Sequence, residues 1–238
     1  MRRNSIIDLV FPRRCPLCGE VRAYGDKWVC DNCDNELVWI EKPVCLKCGK
    51  TISNAEAEYC GDCERIKKSF VRCYPVFAYE GAVKDSLYQF KYKNQREYAV
   101  FYSDCIMKMY GHELRRLAVD GIVPVPVHSH KKKVRGYNQA ELIARELGKR
   151  LDISVYGNYL ERNTDTNPQK ELDDKERMKN LKNAFNISEN GVKLSKVLLV
   201  DDIYTSGATM EACTSTLLQG GVKEVYCVSV AIGRGFDR

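Results

Sequence analysis

Asp201 and Asp202 stand together at the end of an apolar run, Val197-Leu198-Leu199-Val200, and lead through Ile203-Tyr204 into the small turn Thr205-Ser206-Gly207-Ala208-Thr209. A short continuous apolar run of this kind is expected of a central parallel strand covered on both faces. The two carboxylates then lie at its C-terminal end, where ligands of open α/β sheets bind. The turn offers backbone N–H groups and the hydroxyls of Thr205, Ser206 and Thr209 to a phosphate, and a helix starting there adds partial positive charge. Two acids beside a phosphate cradle suit the vicinal hydroxyls of a ribose, held directly or through magnesium. The pattern therefore predicts recognition of a ribose phosphate. The competing reading is the acidic strand end of an ATPase, which requires a GxxxxGK[ST] loop. The sequence Gly49-Lys50-Thr51 has Val44 where the first glycine of that loop belongs.

A second set of reactive side chains is crowded near the N-terminus. Of twelve cysteines, eight form four CxxC pairs, Cys15/Cys18, Cys30/Cys33, Cys45/Cys48 and Cys60/Cys63, each separated from the next by eleven residues. A CxxC turn presents two sulfurs to one metal, so two turns close one tetrahedral four-thiolate zinc site. Gly19 and Gly49 follow the first and third pairs, while Asp34 and Glu64 follow the second and fourth, which marks a thirty-residue repeat. Sequential sites follow: Cys15, Cys18, Cys30 and Cys33 for one zinc, and Cys45, Cys48, Cys60 and Cys63 for the other, in the manner of tandem zinc ribbons. A crossed pairing stays open. A closed four-thiolate site leaves no position for substrate, so both zinc ions are expected to be structural. Cys73, Cys105, Cys213 and Cys227 lack CxxC partners and sit among apolar residues, where cysteine packs as a small hydrophobe.

A basic segment follows the run Ile122-Val123-Pro124-Val125-Pro126-Val127-His128, with Lys131, Lys132, Lys133 and Arg135 close together. Read as a loop beyond a strand, it concentrates charge for a pyrophosphate; read alone, a lysine run is a solvated surface. His128 and His130 have no acidic partner nearby and are read as loop residues. Between 160 and 185 runs a polar stretch that includes Arg162 and is expected to act as a lid.

These residues need a frame. From residue 71 onward extended and helical patterns alternate: strand at 74–79, helices at 82–92 and 96–110, strand at 122–127, helix at 138–151, strand at 197–200, helix at 208–219 and strand at 225–232. Ala140, Ile143, Ala144, Leu147 and Leu151 share one face of the helix at 138–151, and Gly220-Gly221 supplies a stop after 208–219. The order predicts an α/β domain with an open, mostly parallel sheet over 69–238, preceded by the cysteine module over 1–68. With 238 residues, 44% hydrophobic and 29% charged, the chain has the composition of a globular protein. No apolar run approaches the roughly 18 residues of a membrane span, so membrane insertion is not expected. The excess of 38 basic over 32 acidic residues excludes nothing. Asp8 interrupts the early apolar stretch and no small-residue cleavage site precedes Cys15, so a cytoplasmic location is expected.

The thirteen residues from Val197 to Thr209 resemble the phosphoribosyl pyrophosphate (PRPP) signature of type I phosphoribosyltransferases. Adding Asp8-Leu9-Val10-Phe11-Pro12, Arg135-Gly136-Tyr137-Asn138-Gln139-Ala140, and the series Arg162, Thr166, Gln169, Arg177 and Asn180, nearly the whole chain resembles the ComF family of competence-associated proteins. The resemblance implies a double zinc ribbon joined to a type I phosphoribosyltransferase-like domain, and a link to DNA uptake. It implies PRPP with magnesium as ligand, Asp201 and Asp202 on the ribose, and Thr205, Ser206, Gly207, Ala208 and Thr209 on its phosphate. Lys133, Arg135 and Arg162 would stabilise the leaving pyrophosphate. Single-stranded DNA and competence-machinery proteins are the implied partners. For DNA the sequence offers Arg13, Arg14, Arg65, Lys67 and Lys68 with Trp28, Trp39 and Tyr59, unless the tryptophans fill the ribbons' cores. Two departures bear on catalysis. Thr205 stands where hypoxanthine-type enzymes carry an aspartate base, and the chain opens Met1-Arg2 rather than on the leading cysteine of the amidophosphoribosyltransferases. A transferase and a PRPP-sensing or DNA- or protein-binding module without turnover are both compatible with the sequence.

Overall fold

The computed structural model describes residues 13–21, 27–163, 184–188 and 192–233. Four strands, β1 (Cys73–Ala78), β2 (Gly121–Pro124), β5 (Lys196–Tyr204) and β6 (Glu224–Ile232), form an all-parallel sheet in the order β1-β6-β5-β2. Val197, Leu198, Leu199 and Val200 of β5 and Cys227, Val228, Val230 and Ala231 of β6 are almost wholly buried. That is the two-sided burial their unbroken apolar character requires. β5 runs further than its apolar stretch. Asp201, Ile203 and Tyr204 still pair in register with Ser229, Ala231 and Ile232. The acids are thus held on the strand itself.

Helices α3 (Gly81–Tyr92), α4 (Tyr98–Arg116), α6 (Gln139–Leu151) and α7 (Ala208–Gln219) pack around this sheet. α4 continues past residue 110 because Leu114 extends its buried face beyond Gly111. Two local features differ from expectation. The basic segment contains a helix, α5 (Ser129–Arg135), ended by Gly136 at φ 78°. Within the polar stretch, β3 (Leu160–Arg162) pairs antiparallel with β4 (Phe185–Ile187).

The cysteine module shows its repeat in the backbone. Cys15 N–H donates to Glu20 and Gly19 N–H to Cys15 in the first half; Cys45 N–H donates to Lys50 and Gly49 N–H to Cys45 in the second. Short helices α1 (Asp31–Asp34) and α2 (Gly61–Arg65) begin directly after Cys30 and Cys60. The module closes the β1 edge of the sheet. Ile40 N–H donates to Val76 and Ala78 N–H to Val38, at 2.9 and 2.8 Å, around an antiparallel Trp39↔Phe77 bridge. Backbone groups that an edge strand would leave open are satisfied in this way. The tryptophans serve this docking: Trp39 packs on Phe77 at 4.6 Å between ring centres, and Trp28 donates its indole N–H to Asp104 of α4 at 2.8 Å. Among the described residues no helix is long and apolar enough to cross a membrane.

Candidate functional site

At the C-terminal end of β5, Asp201 Oδ1 accepts the backbone N–H of Asp202 at 2.8 Å. Asp202, 8% exposed, is held by Lys91 Nζ at 2.9 Å. Burial, then the neighbouring Asp202 charge, push the Asp201 carboxyl up to about 7; the Asp202 N–H, Lys91 and Arg162 oppose the rise. Burial alone would lower Lys91, but Asp202 outweighs it and keeps the ammonium above its ordinary value. Lys91 is a site residue that motif reading misses. Its signal was present: it lies four residues after Leu87 on the stripe of α3 that carries buried Val83, Leu87 and Phe90. A charge on an apolar stripe calls for a buried partner.

Beyond the acids, residues 205–207 join β5 to α7. Gly207 adopts φ +74°, and a Cβ there would run into the Tyr204 ring, 2.8 Å from its Cε2. Only glycine fits this turn without strain. Ser206 Oγ accepts the Ala208 N–H at 3.4 Å, Thr205 is exposed and Thr209 half-buried in the first turn of α7.

Two of the three expected pyrophosphate cations bear on the acid pair or on its counter-ion Lys91. Arg135 donates to the Tyr92 hydroxyl at 3.0 Å and to Gln139 at 3.2 Å, and lies 4.8 Å above the Tyr92 ring. Its charge bears on Lys91, and that of Arg162 bears on Asp201. Arg162 reaches there from β3, over the Phe185 ring at 5.5 Å. Lys133 is exposed on α5. The Arg135–Ala140 motif fastens this basic helix. Gly136 ends it, Tyr137 donates its hydroxyl to Phe90 of α3, and Asn138 both caps α6 and donates to Val125 beyond β2. Thr166, Gln169, Arg177, Asn180 and the 8–12 segment lie outside the described residues.

The eight CxxC cysteines gather as Cys15, Cys18, Cys30 and Cys33, and as Cys45, Cys48, Cys60 and Cys63, with the sulfurs of each set within 4.8 Å of one another. The pairing is sequential, not crossed. Sγ separations of 3.8 Å (Cys18 to Cys30) and 3.6 Å (Cys48 to Cys60) match the edge of about 3.8 Å that four zinc–sulfur bonds of about 2.3 Å define. In the second set, contacts with Cys48, Cys60 and Cys63 hold the Cys45 thiol well below its ordinary range, while Cys45, Cys60 and Cys63 push Cys48 well above its own. Four thiolates this close need a cation, and the donor set fits zinc. Cys73, Cys105, Cys213 and Cys227 are buried, and burial lifts Cys73 and Cys105 to about 12, as expected of packing residues.

A parallel sheet with acids and a glycine turn at the end of its central strand, joined to paired four-cysteine knuckles, defines a two-module protein whose sequence bears out both parts. Residues 133–235 match the phosphoribosyl transferase domain family, and residues 6–64 match the double zinc ribbon domain family. The chain is 30% identical over 228 residues to competence protein F of Haemophilus influenzae, covering 93% of this chain and 97% of that protein. It is 28% identical over 225 residues to the DNA utilization protein YhgH of Escherichia coli, covering 92% and 98%. It is 27% identical over 206 residues to competence protein ComFC of Bacillus subtilis, covering 82% and 80%. The chain belongs to the ComF family.

Proposed function

We propose that the 69–238 domain binds magnesium-PRPP at the end of β5 and serves the uptake or use of DNA. The carrying observation is the pairing of Asp201 and Asp202 on a central parallel strand with the glycine turn and α7 directly after it. Asp201 and Asp202 take the ribose hydroxyls and the magnesium that accompanies the ligand; the 205–209 turn takes the 5′-phosphate; Arg135, Lys133 and Arg162 face the pyrophosphate. Transfer to a nitrogen acceptor would rest on positioning and electrostatics. Thr205 in place of an aspartate base favours, as a second reading, a cytoplasmic PRPP sensor without turnover. Calorimetry should show PRPP binding that requires magnesium and weakens at least tenfold in Asp201→Asn/Asp202→Asn. Unchanged affinity in that variant removes the assignment. With binding established, steady pyrophosphate release with a panel of amines and nucleobases supports the transferase; none under any acceptor supports the sensor.

The names of the relatives, competence and DNA utilization proteins, support the DNA role. For single-stranded DNA, the ribbon module offers Tyr59, 39% exposed, with exposed Arg13, Arg14, Arg65 and Lys67, whereas Trp28, Trp39 and Lys68 are engaged within the fold. In this reading competence-machinery proteins are further partners of the chain. Each four-cysteine set holds one structural zinc in this reading. Elemental analysis of the purified chain should give about two zinc ions per protein, and a folded protein with one or none overturns it.

A further inference from the structure

Lys68 and Ser69 follow the last ligand-type cysteine, Cys63, by only a few residues, yet both bond to the far end of the chain. Lys68 is 8% exposed, and its Nζ donates to the Ser206 carbonyl at 3.1 Å. Ser69 donates its backbone N–H and its hydroxyl to the two carboxylate oxygens of Glu211, at 2.7 and 2.6 Å, in the first turn of α7. Glu211 is itself 8% exposed although Ser69 lies at the surface, so these are charge-assisted bonds to a carboxylate that is held inside the fold. Phe70 then meets the Tyr204 ring edge-on at 6.3 Å, and Lys47 of the second ribbon donates to the Phe70 carbonyl at 2.8 Å. The linker is therefore anchored on both sides of the 205–207 turn, at Tyr204 and at Glu211.

We infer that Lys68 and Ser69 form a strap that sets the conformation of the 205–209 turn, so that the second ribbon positions the phosphate-binding backbone of the other domain. This rests on the PRPP reading for its ligand. The physical reason is peptide planarity. In a trans peptide the carbonyl of Ser206 and the N–H of Gly207 point to opposite sides. Lys68 draws the carbonyl toward the ribbon, which aims the Gly207 N–H away from it, toward the mouth of the turn. Gly207, at φ +74°, is free to be driven either way, so an external anchor decides its orientation. Lys68 thus acts through the backbone and is a positioning residue; its burial also removes it from any set of cations that could meet DNA.

The test uses the full chain with Lys68→Met/Ser69→Ala, and Lys68→Arg as the conservative variant. Hydrogen exchange of peptides spanning 205–209 should quicken about tenfold in the double variant, the effect of losing bonds to the Ser206 carbonyl and to the buried Glu211 carboxylate. Affinity for magnesium-PRPP and for ribose 5-phosphate should fall about tenfold, while inorganic pyrophosphate, which does not use the turn, should bind as before. Lys68→Arg, still a donor, should stay within about threefold of the wild type. Unchanged exchange at 205–209, or a pyrophosphate affinity that falls in step with the others, overturns the strap. Quickened exchange in a protein whose wild type binds no PRPP sustains the strap and discards the PRPP reading.

Discussion

Gly49→Ala should destabilise the protein by about 3 kcal/mol or more, and Gly19→Ala, its counterpart in the first knuckle, by only about 1 kcal/mol. The two glycines share the same left-handed backbone, φ +76° and +78°. Any L-residue there carries roughly 1–2 kcal/mol of strain. Their surroundings differ. A Cβ on Gly19 meets nothing within 4 Å, whereas one on Gly49 would land on the Pro75 ring and 2.7 Å from the Cys73 carbonyl oxygen. Both obstacles belong to β1, and Cys73 N–H already donates to Lys47 at 2.8 Å, so the second knuckle lies against the strand with no room to yield. The excess cost of Gly49→Ala is the cost of prising the ribbon from the sheet. Thermal unfolding followed by circular dichroism should show Tm falling by about 10 °C for Gly49→Ala and by a few degrees for Gly19→Ala. Equal shifts would mean that the knuckle does not bear on β1.

That asymmetry between two repeats was not legible in the sequence, and the reason is general to this chain. Features set by local spacing could be read: the CxxC pairs and their sequential grouping, the helix at 208–219, the apolar stripe of α6 and the acid–turn–helix order at 201–209. Each depends on neighbours within a few residues. Features set by a distant partner could not. Lys68 finds Ser206 and Ser69 finds Glu211 across about 140 positions, so in the sequence Lys68 is indistinguishable from its solvent-facing neighbour Lys67. From spacing alone Trp39 suits a ribbon core or a base-stacking face, but its ring is spent on Phe77 of β1. The basic segment reads as a loop beyond a strand because it shows no apolar period; in the fold Lys132, Gly136 and their carbonyl partners close helical bonds that leave no residue of the helix buried.

The acid pair gives the second large effect. Lys91→Met should lower stability by about 3 kcal/mol at pH 8, the usual penalty for stripping one partner from a buried ion pair. Lys91 and Asp202 side chains are 20% and 11% exposed, too enclosed for water to replace the lost ammonium. The loss should shrink at pH 5. Asp201, at about 7 in the folded protein against an unfolded value of about 3.9, binds its proton more tightly when folded. Its contribution to stability is therefore fully present below about pH 4 and disappears as pH rises through 7. Lys91 is one of the cations that restrain Asp201, so its removal lifts that carboxyl further and deepens the decline between pH 5 and 8. At pH 5 Asp201 is protonated in both proteins, and repulsion within the acid pair is relieved. Urea titrations at the two pH values measure this directly. Lys91→Met/Asp202→Asn supplies the control: with both charges gone, no uncompensated ion remains and stability at pH 8 should return to within about 1 kcal/mol of the wild type. Magnesium-PRPP should also restore part of the single variant's loss, because the dication brings positive charge to the same carboxylates. A penalty independent of pH, or a double variant no better than the single one, would show that Lys91 stabilises α3 by packing rather than by neutralising the site.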